Sequence, residues 1–231
     1  MLIIRLILFF LMVFMPNSYA EETWKIASLK WGPYADSEIA NQGSSIQKLR
    51  ELLKKEDITL IVEFFPWIRA KRLVETSSEY VGIFPAWPED VFDDAIISPA
   101  VDWSEIGILK LSEKVVSFES IDELFEKYSV GIVRTYTYPK AIDEAIKKYP
   151  HHVEGAPNEL SLLNKLSVGR GDVVITDPQV IQYLAKKEGI SNIEIVKVVM
   201  KKELVLAFRD DEENRIRLNL LTKLLKDSEV N

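Results

Sequence analysis

Hydrophobic positions follow two alternating periods along most of the chain. From Trp24 onward, β-branched or aromatic runs such as WKIASL, ITLIVEFF and YVGIF are separated by stretches with the period of an amphipathic helix. In the first of these stretches, Ile46, Leu49, Leu52 and Leu53 share one helical face. Strands joined by crossovers of this length favour parallel pairing. The pattern therefore predicts a layered α/β protein rather than a helix bundle or a β-sandwich.

A second α/β series follows an irregular stretch of prolines, aromatics and acids, PAWPEDVFDDAIISPAVDW. It contains the predicted strands SVGIV, DVVIT, IEIVKVV and ELVLAF. Helices are predicted from Pro139 to Tyr149, from Asn158 to Val168 and near residues 212 to 226. The two series show no sequence repeat, but their similar architecture indicates two lobes.

Polar residues mark the start of several predicted helices. Ser44 with Gln47, and Ser120 with Glu123, have the spacing of a capping box, in which each side chain accepts a hydrogen bond from the backbone N–H of the other residue. Asp177 precedes a proline and an apolar run, which is the pattern of an N-cap. We therefore expect helices to begin at these three places.

The first 20 residues have the pattern of a secretory signal peptide. One cation, Arg5, precedes a run of Leu, Ile, Phe, Met and Val, and a small-x-small sequence ends at Ala20. An uncleaved membrane anchor is the alternative, but the apolar run is shorter than the roughly 20 residues that a spanning helix needs. We expect residues 1–20 to be cleaved and the mature chain to be exported to the periplasm.

Composition and charge exclude several classes of function. The chain carries 29 Lys and Arg against 36 Asp and Glu, a net charge of −7, which argues against nucleic-acid or anionic-membrane binding. It has no cysteine, so its stability must come from hydrophobic burial. The two histidines are the adjacent pair His151 and His152, and no metal-ligand cluster, nucleophile with a base partner or glycine-rich phosphate loop is present. We therefore predict a protein with no cofactor, no metal and no catalytic residues.

Aromatic and polar residues are concentrated in the loops that follow the predicted strands. In open parallel sheets, ligands bind beyond the carboxyl ends of the strands, where such loops lead into helices. Aromatic rings supply flat apolar walls, and arginine offers a planar fork for carboxylate or phosphate. These residues predict a cleft for a small polar ligand, lined by Trp31, Tyr34, Trp67, Arg69, Trp87, Arg134, Thr135, Tyr136 and Asp177.

Several of these residues are equally explained by structural roles. Trp31 and Tyr34 could cover the edge of the sheet, and Trp67 could pack over the start of its own helix. Arg69 could be a solvated residue of a first helical turn, although a cation there opposes the helix dipole. Asp177 is fully explained as an N-cap. The sequence leaves both interpretations open at these positions.

The order of short segments along the chain resembles a known family. The segments are KIASLKWGPY, FFPWIRA, GIFPAW, VGIVRTYTY and KLSVGRGDVVITDPQVIQYL, and the resemblance spans nearly all of residues 22 to 226. They resemble the periplasmic solute-binding proteins that serve polar amino-acid transporters (bacterial extracellular solute-binding protein family 3), especially short standalone members. No single segment is decisive, and their order is the stronger signal.

The resemblance implies an α/β fold of the two-lobed periplasmic binding protein type II class. Such a fold has mainly parallel central sheets and a hinge of two crossing strands, here expected near residues 108 to 113 and 198 to 202. One lobe would contain residues 21–108 and 201–231, and the other residues 109–200. Closure around a ligand would then be a hinge motion.

Roles for three residues also follow from the resemblance. By position, Tyr34 would form a wall of the site, Thr135 and the helix start after it would receive a carboxylate, and Asp177 would bind an ammonium group. A charge-assisted hydrogen bond of that kind contributes roughly 1.5 to 3 kcal/mol. The implied ligand is an amino acid or a related small polar compound.

One departure from the family pattern affects this implied ligand. Amino-acid binders of the family usually carry a Thr-x-x-Arg that clamps the ligand's carboxylate, whereas this chain has Glu89 and Asp90 where the cation is expected. Arg69 or Arg134 could replace the clamp. The protein could also bind a different small molecule, or none.

Three functions remain open at this stage. The first is a monomeric periplasmic protein that delivers a small polar ligand to an inner-membrane permease or sensor. The second is a dehydratase-like periplasmic enzyme, which would need a buried acid with a raised pKa, such as Glu89. The third is a ligand-free interaction module that uses the acidic segment 89–94 as its contact surface.

Overall fold

The computed structural model describes residues 22–229, so the predicted signal peptide lies outside the described residues. Over that span, no helix has the length and apolar character that crossing a membrane requires. Nine strands and seven α-helices were found among the described residues: β1 (Thr23–Ser28), α1 (Ser44–Lys54), β2 (Thr59–Phe64), α2 (Trp67–Thr76), β3 (Gly82–Ala86), β4 (Ile96–Ile97), β5 (Asp102–Leu111), α3 (Ile121–Lys127), β6 (Val130–Val133), α4 (Lys140–Lys148), β7 (Val153–Ala156), α5 (Glu159–Ser167), β8 (Val173–Thr176), α6 (Pro178–Glu188), β9 (Ile193–Phe208) and α7 (Glu212–Glu229).

The sheet has the order β2-β1-β3-β9-β5-β8-β6-β7, and the short β4 pairs with β9. β1 pairs in parallel with β2 and β3, and β6 pairs in parallel with β7 and β8. Each antiparallel pair recorded in the described residues includes β5 or β9. Two parallel groups are thus joined by two long strands, and the prediction of a two-lobed α/β protein with mainly parallel central sheets is confirmed. We call the β1–β3 group the first lobe and the β6–β8 group the second.

The connection between the lobes is the antiparallel ribbon of β5 and β9. These strands pair from Asp102 opposite Leu204 to Leu111 opposite Ile193. The second half of β5 also pairs with β8, whereas the end of β9 pairs with β3. Both strands therefore run from one lobe into the other, as a two-strand hinge requires. The exact lobe boundaries given above stay a prediction.

The prediction of two separate strands, IEIVKVV and ELVLAF, was wrong, because β9 is continuous over 16 residues. Lys201 and Lys202 interrupt the hydrophobic pattern between them, but both side chains have partners in the structure. Lys201 Nζ lies 4.4 Å from the centre of the Trp103 ring, and Lys202 forms an ion pair with Glu89 at 2.6 Å. Long-range partners of this kind allow a strand to continue through two lysines.

The hydrophobic core extends under both lobes. The four apolar residues of α1 that share one face are all buried, as their spacing predicted. In β1, the buried Trp24 ring packs edge-on against Phe208 at a centroid distance of 5.7 Å, which joins the first strand to the end of β9. Packing of helices onto both parallel groups fixes the strand ends that form the cleft.

The three predicted helix starts differ in their outcome. Ser120 accepts a hydrogen bond from the Glu123 backbone N–H at 3.1 Å, and Asp177 accepts one from the Val180 N–H at 3.0 Å, so both caps are confirmed. Helix α1 begins at Ser44 as predicted, but the predicted capping box between Ser44 and Gln47 was wrong. The residue before α1 is Gly43, with φ 110° and no side-chain cap, because a Cβ at this position would collide with the Tyr34 backbone.

Strand β7 was missed by the sequence analysis. Its sequence, VEGA, contains one charged and two small residues, so it lacks the β-branched run that marks a strand. Among the described residues it is the edge strand of the second lobe and pairs in parallel with β6. This strand matters for function because it leads directly into α5 at the cleft.

Candidate ligand-binding site

The carboxyl ends of the parallel strands of both lobes face one cleft. Trp31 follows β1 and Trp87 follows β3, while Tyr136 follows β6 and Asp177 follows β8. Trp67 begins α2 after β2. The structure therefore brings these five predicted residues together, because equivalent ends of parallel strands lie at the same edge of a sheet.

Five aromatic side chains form a contiguous cluster in this cleft. The Trp31 ring lies 4.8 Å from Tyr34 and 6.0 Å from Trp87, measured between ring centres. Trp87 in turn lies 5.6 Å from Tyr136 and 6.1 Å from Tyr138. Tyr138 was not predicted as a site residue. We call these five residues the aromatic cluster; Trp31, Tyr34 and Trp87 come from the first lobe and the two other tyrosines from the second.

Two adjoining cavities lie at the aromatic cluster. The inner cavity has a volume of about 20 Å³, enough for about one water molecule, and its polar and aromatic walls are Trp31, Trp67, Trp87, Asp90 and Tyr136. An outer groove of about 470 Å³ shares Trp67 and Tyr136 with the inner cavity. Ligand sites typically occupy roughly 300 to 1,000 Å³. The inner cavity is therefore too small for a solute, which would lie in the groove.

The groove is walled by both lobes. The first lobe contributes the segment from Phe64 to Ile68, in which the rings and Pro66 form an apolar wall. The second lobe contributes Thr135 and the segment from Pro157 to Glu159. A bound solute would thus touch both sides of the hinge at once.

Glu159 is a buried carboxyl at the cleft that the sequence analysis missed. It is the first residue of α5 and is 4% exposed. Its Oε1 accepts hydrogen bonds from Trp31 Nε1, at 2.6 Å, and from the Tyr136 hydroxyl. Burial raises the pKa of Glu159 to about 7, and these two donors oppose the rise. Its position after Asn158 resembles an ordinary acidic first helical turn, so only the fold reveals its burial.

Asp177, the carboxylate predicted at the site, accepts hydrogen bonds on both of its oxygens. Its Oδ1 accepts from the Val180 backbone N–H, which caps α6. Its Oδ2 accepts from the Tyr34 hydroxyl at 3.1 Å and from the Glu105 backbone N–H at 3.0 Å. Burial raises the pKa of Asp177, and the same donors oppose this. Both oxygens already have partners, so binding of an ammonium group by Asp177 stays a prediction.

The two acids that replace the family's expected cation have different environments. Asp90 is 3% exposed and accepts from Trp67 Nε1 and Lys71 Nζ, each at 2.7 Å. Burial raises the pKa of Asp90, and the Lys71 ammonium opposes the rise. Glu89 binds Lys202 Nζ through both carboxylate oxygens at 2.6 Å. The acidic segment 89–94 is thus not a uniformly exposed contact surface, and the buried acids that line the cavities are Asp90 and Glu159 rather than Glu89.

Arg69 and Arg134 lie outside the two cavities. The Arg69 side chain is exposed, and its guanidinium carbon lies 5.2 Å from the centre of the Phe65 ring. Arg134 is also exposed and covers Gly155, where a Cβ would collide with it. Neither side chain is among the residues that line the inner cavity or the groove. Six of the remaining seven predicted residues line these cavities or join the aromatic cluster, and Asp177 is hydrogen-bonded to Tyr34 of the cluster.

Truncation of either arginine is expected to change stability little. We predict that Arg69→Ala and Arg134→Ala each alter the free energy of unfolding by no more than about 0.5 kcal/mol, as is usual for exposed positions. Urea unfolding followed by tryptophan fluorescence measures this change. A loss of more than about 1 kcal/mol for either variant would contradict the exposed placement of its side chain.

Direct contacts across the cleft hold the lobes together. Trp31 and Tyr34 donate to Glu159 and Asp177, as described above. Further from the cluster, the Tyr183 hydroxyl donates to Asp36 at 3.2 Å, and Lys187 pairs with Glu38 at 2.8 Å. We call these four interactions the interlobe bonds. The structure is therefore a closed form of the cleft.

Comparisons with known proteins bear on the fold. No protein-family model matches the chain, and no curated protein sequence matches it. Among solved structures, a histidine kinase sensor domain with similarity to periplasmic binding proteins aligns with a TM-score of 0.73 at 14% identity, covering 89% of this chain and 90% of the other. An ancestral arginine-binding protein bound to arginine aligns with a TM-score of 0.71 at 16% identity, covering 90% of this chain and 93% of the other.

A third similar structure is an ancestral amino acid-binding protein described as a precursor of cyclohexadienyl dehydratase. It has a TM-score of 0.68 and 17% identity, and the alignment covers 90% of each chain. Sequence identities this low carry information on the fold alone. The cleft, the two-strand hinge and these likenesses together show that the chain adopts the two-lobed fold of the periplasmic binding proteins.

Proposed function

We propose that this protein binds a small polar solute in the cleft between its lobes and delivers it to a membrane transporter or sensor after export to the periplasm. The observation that carries the proposal is the placement of Trp31 and Glu159. They come from opposite lobes and are hydrogen-bonded to each other where the inner cavity, lined by Trp31, adjoins the groove, lined by Glu159. A solute that touches both lobes favours the closed state by its contacts to both.

The residues proposed to contact the solute are the predicted residues that line the two cavities or join the aromatic cluster, together with Asp177. Arg69 and Arg134 are not among them, whereas Glu159 is added. The set is Trp31, Tyr34, Trp67, Trp87, Thr135, Tyr136, Glu159 and Asp177. Polar groups in this set fix the orientation of the solute, and the rings exclude water from it.

The names of similar structures support delivery to a transporter or a sensor. One is described as an arginine-binding protein and another as the sensor domain of a histidine kinase. A standalone monomer with the predicted signal peptide would meet either kind of partner at the outer face of the inner membrane. Export rests on the sequence pattern of residues 1–20.

A thermal-shift screen tests whether the mature chain binds a solute. Residues 21–231 are heated with amino acids, small carboxylates, amines and polyamines, each at several concentrations. A solute at one hundred times its Kd is expected to stabilise the fold by about 2.7 kcal/mol and to raise the Tm by about 5 to 10 °C. If no compound raises the Tm in a saturable manner, the proposed function is wrong and a ligand-free interaction module becomes the better explanation.

A periplasmic enzyme is the second candidate, and Glu159 is the observation that favours it. A buried carboxyl with a pKa near 7 is suited to general acid or base catalysis at neutral pH. The test is to incubate each compound that raises the Tm with the protein and to follow it by mass spectrometry. Recovery of the unchanged compound supports binding, whereas a product that disappears in Glu159→Gln supports the enzyme.

A further inference from the structure

The charges in the cleft differ from those needed to hold a carboxylate. A carboxylate ligand is usually held by an arginine, which offers two parallel donors. No arginine lines the inner cavity or the groove, which are formed by described residues. Lys30 is the one cation among the lining residues, and it pairs with Glu38 at 2.5 Å. An incoming carboxylate would therefore meet no free cation and would lie near the Glu159 carboxyl.

Glu159 has no cation as a partner among the described residues. Its side-chain donors, Trp31 and Tyr136, are neutral, and both bind the same oxygen, Oε1. The nearby Asp177 carboxylate raises the pKa of Glu159 further. Asp90, in contrast, is already paired with Lys71. Asp177 also has only neutral donors, but both of its oxygens accept hydrogen bonds and it lines neither cavity. Glu159 is thus the carboxyl lining the groove whose negative charge is left without a counterion, and a cation bound at Oε2 would compensate it.

Aromatic walls add a second attraction for a cation. The inner cavity is lined by the rings of Trp31, Trp67, Trp87 and Tyr136, and the face of an indole or phenol ring attracts an ammonium group within about 6 Å. The protein already uses one such contact, since Lys71 Nζ lies 5.7 Å from the centre of the Trp67 ring. Trp67 and Tyr136 also line the groove, so an ammonium head held there by Glu159 would lie beside both rings.

The dimensions of the groove suit a small organic solute. Its volume is about 470 Å³, and its lining includes Glu159 and the apolar wall from Phe64 to Ile68. We propose that the solute is an organic ammonium cation without a carboxylate, held by Glu159 and the aromatic rings of the groove. This inference rests on the proposed solute-binding function and names the class of solute.

Matched pairs of probes separate the two ligand classes. The mature chain is titrated calorimetrically with cadaverine and lysine, agmatine and arginine, and choline and glycine betaine. The members of each pair differ mainly by the carboxylate. We expect at least one carboxylate-free member to bind about tenfold or more tightly than its partner, because the partner brings an anion to an uncompensated carboxyl.

Two variants test the role of Glu159. Glu159→Gln keeps an acceptor for Trp31 and Tyr136 but removes the charge. We expect it to lower the affinity for the cation by about tenfold or more. Glu154→Gln is the matched control, since Glu154 lies on the preceding strand β7, has a side chain that is 45% exposed and pairs with Lys165 of α5. It should leave the affinity unchanged. Circular dichroism shows whether each variant is folded.

A pH titration with the wild-type chain keeps the inference testable if Glu159→Gln does not fold. Choline has a permanent charge, so a pH effect on its binding comes from the protein. We expect its affinity to fall by about tenfold or more as the pH drops from 8 to 5, because Glu159 takes up a proton near pH 7. The carboxyls of Asp90 and Asp177 and the Tyr136 hydroxyl also face this region.

The possible outcomes distinguish the two proposals. If, in every pair that binds, the member with the carboxylate binds as tightly as its carboxylate-free partner, the solute class is wrong and the solute-binding function stands. The same holds if the affinity for the cation is independent of pH and of Glu159→Gln. If none of the six probes binds, the solute class is also wrong, and the thermal-shift screen then decides whether solute binding itself fails.

Discussion

The free energy of unfolding of the wild-type chain is expected to fall by about 2 to 3 kcal/mol through Glu159 alone as the pH rises from 5 to 8. The pKa of this buried carboxyl is about 7 in the folded state, against an ordinary value of 4.5. The folded state therefore holds a proton that the unfolded state has lost over most of this range. The contribution of Glu159 is most favourable below pH 4.5, and it is lost as the pH rises through 7.

Urea unfolding at pH 5, 6, 7 and 8 measures the slope of the free energy of unfolding against pH. Glu159→Gln is the comparison. The variant retains Asp90 and Asp177, whose pKa values are also raised by burial, so the difference between the two proteins isolates Glu159. We expect the variant to lose less stability than the wild type over the same range. Equal slopes for both proteins would show that the carboxyl is not held in a buried, uncompensated state.

Trp31→Ala is expected to lower the free energy of unfolding by about 3 to 5 kcal/mol, as is usual for truncating a buried tryptophan. Trp31 is 4% exposed and packs against Tyr34 and Trp87. The substitution opens a cavity at the aromatic cluster. It also removes the donor to Glu159, which leaves that buried carboxyl with one fewer hydrogen bond.

Trp103→Ala provides the matched control for Trp31→Ala. Trp103 lies on the hinge strand β5, is 43% exposed and contacts Lys201 by a cation–π interaction. Its truncation should lower the stability by about 1 kcal/mol or less. Guanidinium unfolding followed by circular dichroism compares the two variants without relying on tryptophan emission. Similar losses for both would contradict the burial of Trp31 between the lobes.

Much of the fold could be predicted because its signals are local. The helical face of α1, the cap at Asp177 and the alternation of strands and helices depend on residues close in sequence. The same holds for the aromatic residues at the strand ends, since parallel strands place their carboxyl ends at one edge. For this reason, Trp31, Trp87 and Tyr136 could be grouped before the structure was known.

Features that depend on distant residues could not be predicted in the same way. Glu159 reads as an ordinary acidic residue of a first helical turn, and its burial arises because Trp31, which lies 128 positions away, closes over it. Strand β9 continues through two lysines because Glu89 and Trp103 compensate them from other parts of the chain. Local sequence propensity cannot predict such pairings, because the two partners lie far apart in the sequence.

The interlobe bonds have a consequence for the rate of solute capture. Because they already hold the lobes together, a solute too large for the open groove can enter only during excursions in which the Trp31–Glu159 and Tyr34–Asp177 bonds break together. Opening then precedes binding, and the observed association rate should level off at high solute concentration at the value of the opening rate. The apparent affinity is weakened by the fraction of molecules that are closed and empty. Tyr34→Phe removes one of the two bonds and should raise that limiting rate.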